Sequence, residues 1–242
     1  MRPPSLAAVA LVALHFAVAG CRGPVEGIAE IDISGSLDDM EGPALSSPRG
    51  LTMRQALQLF LAASEDDRVS GVLVRIGAVG AGPARMEELR DALIRLREAG
   101  RTVHCQLESA SNFAYWLAAA GCERLALSPA GSLDLTGLAA ESIYIVELLE
   151  SLGLEADLMR VGTHKGGAEF LTRDDMSPEL RETLSELLDD LTAMLVEGIA
   201  ESRGLEPAAV RDLLDGGPYT AEEALEAGLV DALEYRDEAR EA

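Results

Sequence analysis

Short apolar runs alternate with amphipathic helical stretches along most of this chain, and that alternation constrains its fold more than any other feature. Residues 28–33 alternate like a strand, and a polar loop rich in Pro, Gly and Ser follows over 35–50. Ala56, Leu57, Phe60 and Leu61 share one face of a helix over 54–63. A second strand, 69–76, runs into a glycine-rich loop over 77–83. Met86, Leu89, Leu93 and Leu96 then mark a helix that closes at Gly100. Strand 102–107, helix 113–120 and strand 124–127 come next. The spacing predicts a helix over 142–152 and a strand-like run over 157–161. A long helix over 178–203 is started by Ser177 and Pro178 and stopped by Gly204, and short helices cover 207–214 and 221–227. Strands alternating with helices build βαβ units, so the expected architecture is α/β with a mainly parallel sheet.

A chain of 242 residues with 48% hydrophobic residues has ample material for one core. The expected organisation is one domain over 28–235 with a frayed tail over 236–242. A formal charge of −22 repels phosphate backbones, which argues against nucleic acid as a partner. The three histidines include one in the leader, leaving too few for a histidine-rich metal site and making a Ser-His-Asp triad improbable. No metal or cofactor is expected.

Residues 1–20 have one arginine and an apolar run of signal-peptide length, ending in small residues before Cys21. That pattern matches a bacterial lipobox, in which Cys21 is the lipidated first residue and 21–27 is a tether. The expectation is an exported, lipid-anchored protein of the cell envelope. Arg22 after the cysteine favours the outer membrane or its periplasmic face in a double-membraned bacterium. Cys105 and Cys122 could pair in such a compartment or remain buried thiols.

Lys165 is the only lysine, against 19 arginines. Arginine replaces lysine almost everywhere except where the side chain must lose its proton, so Lys165 is a candidate general base or Schiff-base amine. Gly162, Gly166 and Gly167 surround it, on a loop that leads to the helix start at Ser177. A plain turn bearing a solvated lysine near Asp174 and Asp175 is the competing reading.

These residues resemble the signal peptide peptidase A (protease IV) family of serine peptidases, of the Clp protease/crotonase fold. The resemblance rests on RVGTHK at 160–165, Glu169 with Phe170, RDDMSP at 173–178, Ser128 with Pro129, the segment 134–137, and the closing segments 219–221 and 228–231. It implies a Ser/Lys dyad in which Lys165 is the base, with Gly80 in the oxyanion-forming loop. A lysine amine of ordinary pKa about 10.4 must then fall to near 7, which asks roughly 4–5 kcal/mol of burial.

The serine is where the sequence departs from the family. The family's nucleophile stands in a Ser-Gly-Gly-Tyr box at a helix start, whereas ESASNFAYW occupies 108–116 here. Ser111 is either the nucleophile or an ordinary helix N-cap. The segment is closer to the lysine-bearing half of the long family members, so the resemblance implies peptide substrates and either a homo-oligomer or a serine-bearing partner. A catalytically inactive member that binds peptides or scaffolds a partner is the alternative.

Overall fold

The computed structural model describes residues 27–39, 50–159, 161–162 and 164–242. The expected leader, Cys21, most of the tether, most of the 35–50 loop, Arg160 and Thr163 lie outside those residues.

Five strands form one sheet in the order β1 (Gly27–Gly35), β2 (Val69–Val79), β3 (Thr102–Leu107), β5 (Arg124–Leu127), β8 (Ala232–Leu233), every pair parallel. A smaller sheet joins β4 (Ala110–Ser111), β6 (Ser132–Asp134) and β7 (Tyr219–Thr220). The helices are α1 (Met53–Glu65), α2 (Pro83–Glu98), α3 (Asn112–Gly121), α4 (Val146–Ser151), α5 (Glu169–Thr172), α6 (Pro178–Arg203), α7 (Pro207–Gly216), α8 (Ala221–Glu226) and α9 (Arg236–Glu241). This is the expected single α/β domain, and its strand-helix alternation accounts for the parallel pairing.

Strand alternation sorts the main sheet into an apolar and a charged face. Ile31, Ile33, Val72, Val74, Ile76, Val103, Cys105 and Leu107 are all buried in the core with Trp116 and Leu117 of α3. The intervening positions carry Glu30, Asp32, Arg75, His104 and Gln106. Arg75 is 8% exposed and pairs with Glu30 at 3.1 Å and with Asp32. Glu30 also takes Arg236 at 3.2 Å and Arg240, both from α9, and Arg240 beside it holds its carboxyl below the ordinary range.

That cluster corrects the expected tail. Residues 236–241 are helical, with Ala239 buried, because two arginines of α9 meet a carboxylate on the first strand. Among the described residues of 157–161, the predicted strand does not form. Residues 154–159 are irregular, and Met159 is 98% exposed, so its side chain finds no face on which to pack. The predicted helix over 142–152 contracts to α4, with Ile143 75% exposed.

Cys105 and Cys122 are joined as a disulfide, with Cα atoms 5.8 Å apart, within the range such a bond requires. It ties β3 to the C-cap of α3.

Asp231 staples the end of the chain to the body. Its carboxylate accepts the Leu125 N–H at 2.8 Å and Arg203 Nη2 at 2.8 Å, while Arg203 also donates to the Gly228 carbonyl. Burial alone would raise its pKa, but Arg203 and the Leu125 amide together hold it below the ordinary range. A lowered folded pKa means the stabilisation is complete above the unfolded carboxylate range near about 4. It is lost as pH falls through the lower folded value. Asp231→Asn is therefore expected to lower the thermal midpoint at neutral pH, with the gap to wild type narrowing as unfolding is repeated below about pH 4. A gap independent of pH would show that the charge contributes nothing.

Candidate active site

Ser111 stands where the strand β3 has turned into the helix α3. Ser109 Oγ accepts the Ser132 N–H at 3.1 Å, and β4 pairs in parallel with β6 so that Ala110 faces Leu133 and Ser111 faces Asp134. Ser111 is the N-cap residue of α3, with extended backbone, φ −87° and ψ 173°. Its hydroxyl nevertheless makes no capping hydrogen bond, and the residue is exposed. The position is that of an N-cap, but the side chain does not do a cap's work. The helix start thus presents backbone N–H donors and a free hydroxyl together, an arrangement suited to an oxyanion beside a nucleophile.

Gly80 follows β2 directly, since the strand continues to Val79 rather than ending where the glycine-rich loop was expected to begin. Its N–H donates to the Gly35 carbonyl at 2.9 Å and so extends the β1–β2 ladder. In this arrangement that amide is already paired.

Lys165 lies on a loop seated against the first turns of α6. Ser177 caps that helix by accepting the Leu180 N–H at 3.2 Å, and its own N–H and hydroxyl donate to the Glu169 carboxylate at 3.0 Å and 2.7 Å. Glu169 is 3% exposed. Gly166 is needed for close approach: a Cβ there would lie 3.0 Å from the Leu180 side chain and 3.2 Å from Glu169 Oε1. Gly162 has φ +104°, a backbone state that favours glycine. His164 Nδ1 lies 3.2 Å from the Thr183 hydroxyl, a third tie between loop and helix. Glu169 was visible in the sequence only as part of a resemblance; its work here is to fix the loop.

The Lys165 side chain is exposed, and among the described residues it has no hydrogen-bond or ion-pair partner. Asp175 is taken by Arg173 at 2.7 Å, and an exposed Lys165 is also what the competing reading of a turn with a solvated lysine expects. Within the chain, nothing bonds Lys165 to Ser111.

The segments on either side of Lys165 in the sequence carry exposed apolar side chains. Leu148, Leu152 and Leu154 are 56%, 65% and 55% exposed, Val161 is 85% exposed, and Phe170 and Leu187 are 42% and 51% exposed. The leucine stripe of α6 divides accordingly: Leu195 and Ile199 are buried in the core, while Leu187 faces outward and Leu184, Leu188 and Leu191 are half-buried. Among the described residues no helix is long and apolar enough to cross a membrane.

The model of peptidase family S49 matches residues 95–242, which include every site residue named above except Cys21 and Gly80. The chain is 32% identical over 180 residues to protease 4 of Salmonella typhi, covering 71% of this chain and 29% of that protein. It is 28% identical over 189 residues to the chloroplastic serine protease SPPA of Arabidopsis thaliana, covering 78% of this chain and 28% of the relative. Against a putative signal peptide peptidase SppA of Enterococcus faecium, identity is 23% over 218 residues, 88% of this chain and 61% of that one. The chain thus spans less than a third of the length of the first two.

Proposed function

Because the chain belongs to peptidase family S49, the signal peptide peptidase A family, we propose that it is a serine peptidase whose dyad, Ser111 as nucleophile and Lys165 as base, is assembled between chains. The observation that carries this reading is the state of the two side chains. Ser111 keeps its hydroxyl free at a helix N-terminus, and Lys165 stands unpaired among the described residues on a loop fixed by three contacts. A base must be neutral to accept the serine proton, and desolvation is what makes a lysine neutral. In one chain Lys165 is exposed, so a second surface has to cover it, and the exposed apolar side chains of the segments that flank it in the sequence suit such a surface. That surface belongs to a second copy of this chain, which brings its Ser111 to the Lys165 of the first. The substrates are peptides, cleaved at the cell envelope by a protein exported and anchored through a lipid on Cys21.

The expected result of incubating the full-length chain with a fluorogenic peptide is hydrolysis that Ser111→Ala removes. Hydrolysis unchanged in Ser111→Ala would assign the nucleophile elsewhere. The alternative, an inactive member that binds peptides, is favoured by the segment 108–116, where an ungapped comparison with the family's box puts Phe113 in the nucleophile slot and Ser111 reaches it only by a two-residue shift. Peptide binding without turnover at any protein concentration would establish it.

A further inference from the structure

Asn112 is the first residue of α3 and the immediate neighbour of Ser111, yet its side chain takes no part in the helix. Its carboxamide reaches across to the turn after β6. Nδ2–H donates to the Gly137 carbonyl at 2.7 Å, while Oδ1 accepts the Thr136 N–H at 3.0 Å and the Gly137 N–H at 3.3 Å. Two N–H donors on one side and a carbonyl on the other fix which end of the amide is oxygen. The turn itself depends on Gly137, whose φ is +74°.

We propose that Asn112 is a positioning residue that sets the Ser111 hydroxyl against the 134–137 segment. The proposal rests on the reading of Ser111 as nucleophile. The backbone of Ser111 is held by its pairing with Asp134, and one residue later the Asn112 side chain holds the same segment again. Ser111 therefore lies between a backbone and a side-chain attachment, and its hydroxyl is the one polar group of the 109–112 turn's Ser and Asn side chains left without such a bond. No near neighbour of asparagine reproduces this. Aspartate keeps both acceptor contacts but cannot donate to Gly137, alanine keeps none, and glutamine is one methylene too long for the same geometry.

Nucleophile placement matters steeply, since a misplacement of about 1 Å costs on the order of 100-fold in rate. The experiment is labelling of the full-length chain by a serine-reactive fluorophosphonate, with the modified residue located by mass spectrometry and the folded fraction followed by thermal unfolding. The wild type is expected to be labelled on Ser111, and Ser111→Ala not at all. Asn112→Ala should be labelled about 10- to 100-fold more slowly at a temperature where it is still folded. Asn112→Asp keeps the two acceptor contacts but sets a carboxylate oxygen against the Gly137 carbonyl, so it should recover at most part of that loss.

A wild-type labelling rate in Asn112→Ala would overturn the assignment of Asn112 while leaving the dyad standing. Losses in both variants that merely track their loss of folded protein would overturn it as well. A wild-type chain never labelled on Ser111 would sink the dyad itself, and the role of Asn112 with it.

Discussion

Lys165→Arg is expected to lower kcat/KM for peptide hydrolysis by about 10²- to 10⁴-fold, the range that a positioned general base contributes. Arginine keeps the length and most of the packing of the side chain, so the fold should survive. It cannot be deprotonated, so the serine keeps its proton. Lys165→Met, which keeps the apolar stem, is expected to be as inactive as the arginine variant. Equal failure of a charged and a neutral replacement separates loss of a proton acceptor from loss of a charge. The inter-chain arrangement makes a further demand. Neither Lys165→Arg nor Ser111→Ala should turn over alone, but a mixture of the two should regain activity, because some interfaces then combine an intact serine with an intact lysine. Recovery should rise with protein concentration as assembly does. No recovery on mixing, with each variant correctly assembled, would place both residues in one chain or assign the serine to a different protein.

The elements that read correctly from sequence are those whose signals are local. Helix α6 begins and ends where Ser177, Pro178 and Gly204 place it, with Ser177 capping and Gly204 left-handed at φ +64°. Strands β3 and β5 coincide with their apolar runs for the same reason. What could not be read depends on partners far away in the chain. Helix α9 is charged and short, and its ion pairs to the carboxylate of Glu30, more than 200 residues earlier, had no signal in the local sequence. The run over 157–161 was strand-like in composition, but its described residues pair with neither outer strand of the main sheet, β1 or β8. The site divides in the same way. Lys165 stood out by count, and Ser111 only through the family resemblance. The three-point attachment of Asn112 had no sequence signal, because asparagine at a helix start ordinarily means capping or a turn. The Gly80 amide could not be known to be committed to Gly35 until the β1–β2 register was fixed.

Breaking the Cys105–Cys122 bond is expected to cost about 3 kcal/mol, the chain-entropy value for a closed loop of roughly this size. The two residues are 17 apart, and the loop contains β3's end, the 108–111 turn and all of α3. For a domain of this length that loss corresponds to a fall of roughly 6–12 °C in the unfolding midpoint. Measuring thermal unfolding of the chain with and without a dithiol reductant reads the bond directly. A Cys105→Ala/Cys122→Ala double variant should melt lower still, since two buried side chains lose volume as well. The reduced wild type, which keeps both sulfurs in place, isolates the cross-link. The bond's position also couples stability to chemistry. It clamps the strand that leads into Ser111 to the far end of the helix that starts there, so reduction should slow labelling of Ser111 before the whole domain unfolds. A midpoint unmoved by reductant, in protein shown by thiol titration to be fully reduced, would mean that α3 is held by packing alone. The cross-link would then add nothing that Trp116, Leu117 and their neighbours in the core do not already supply.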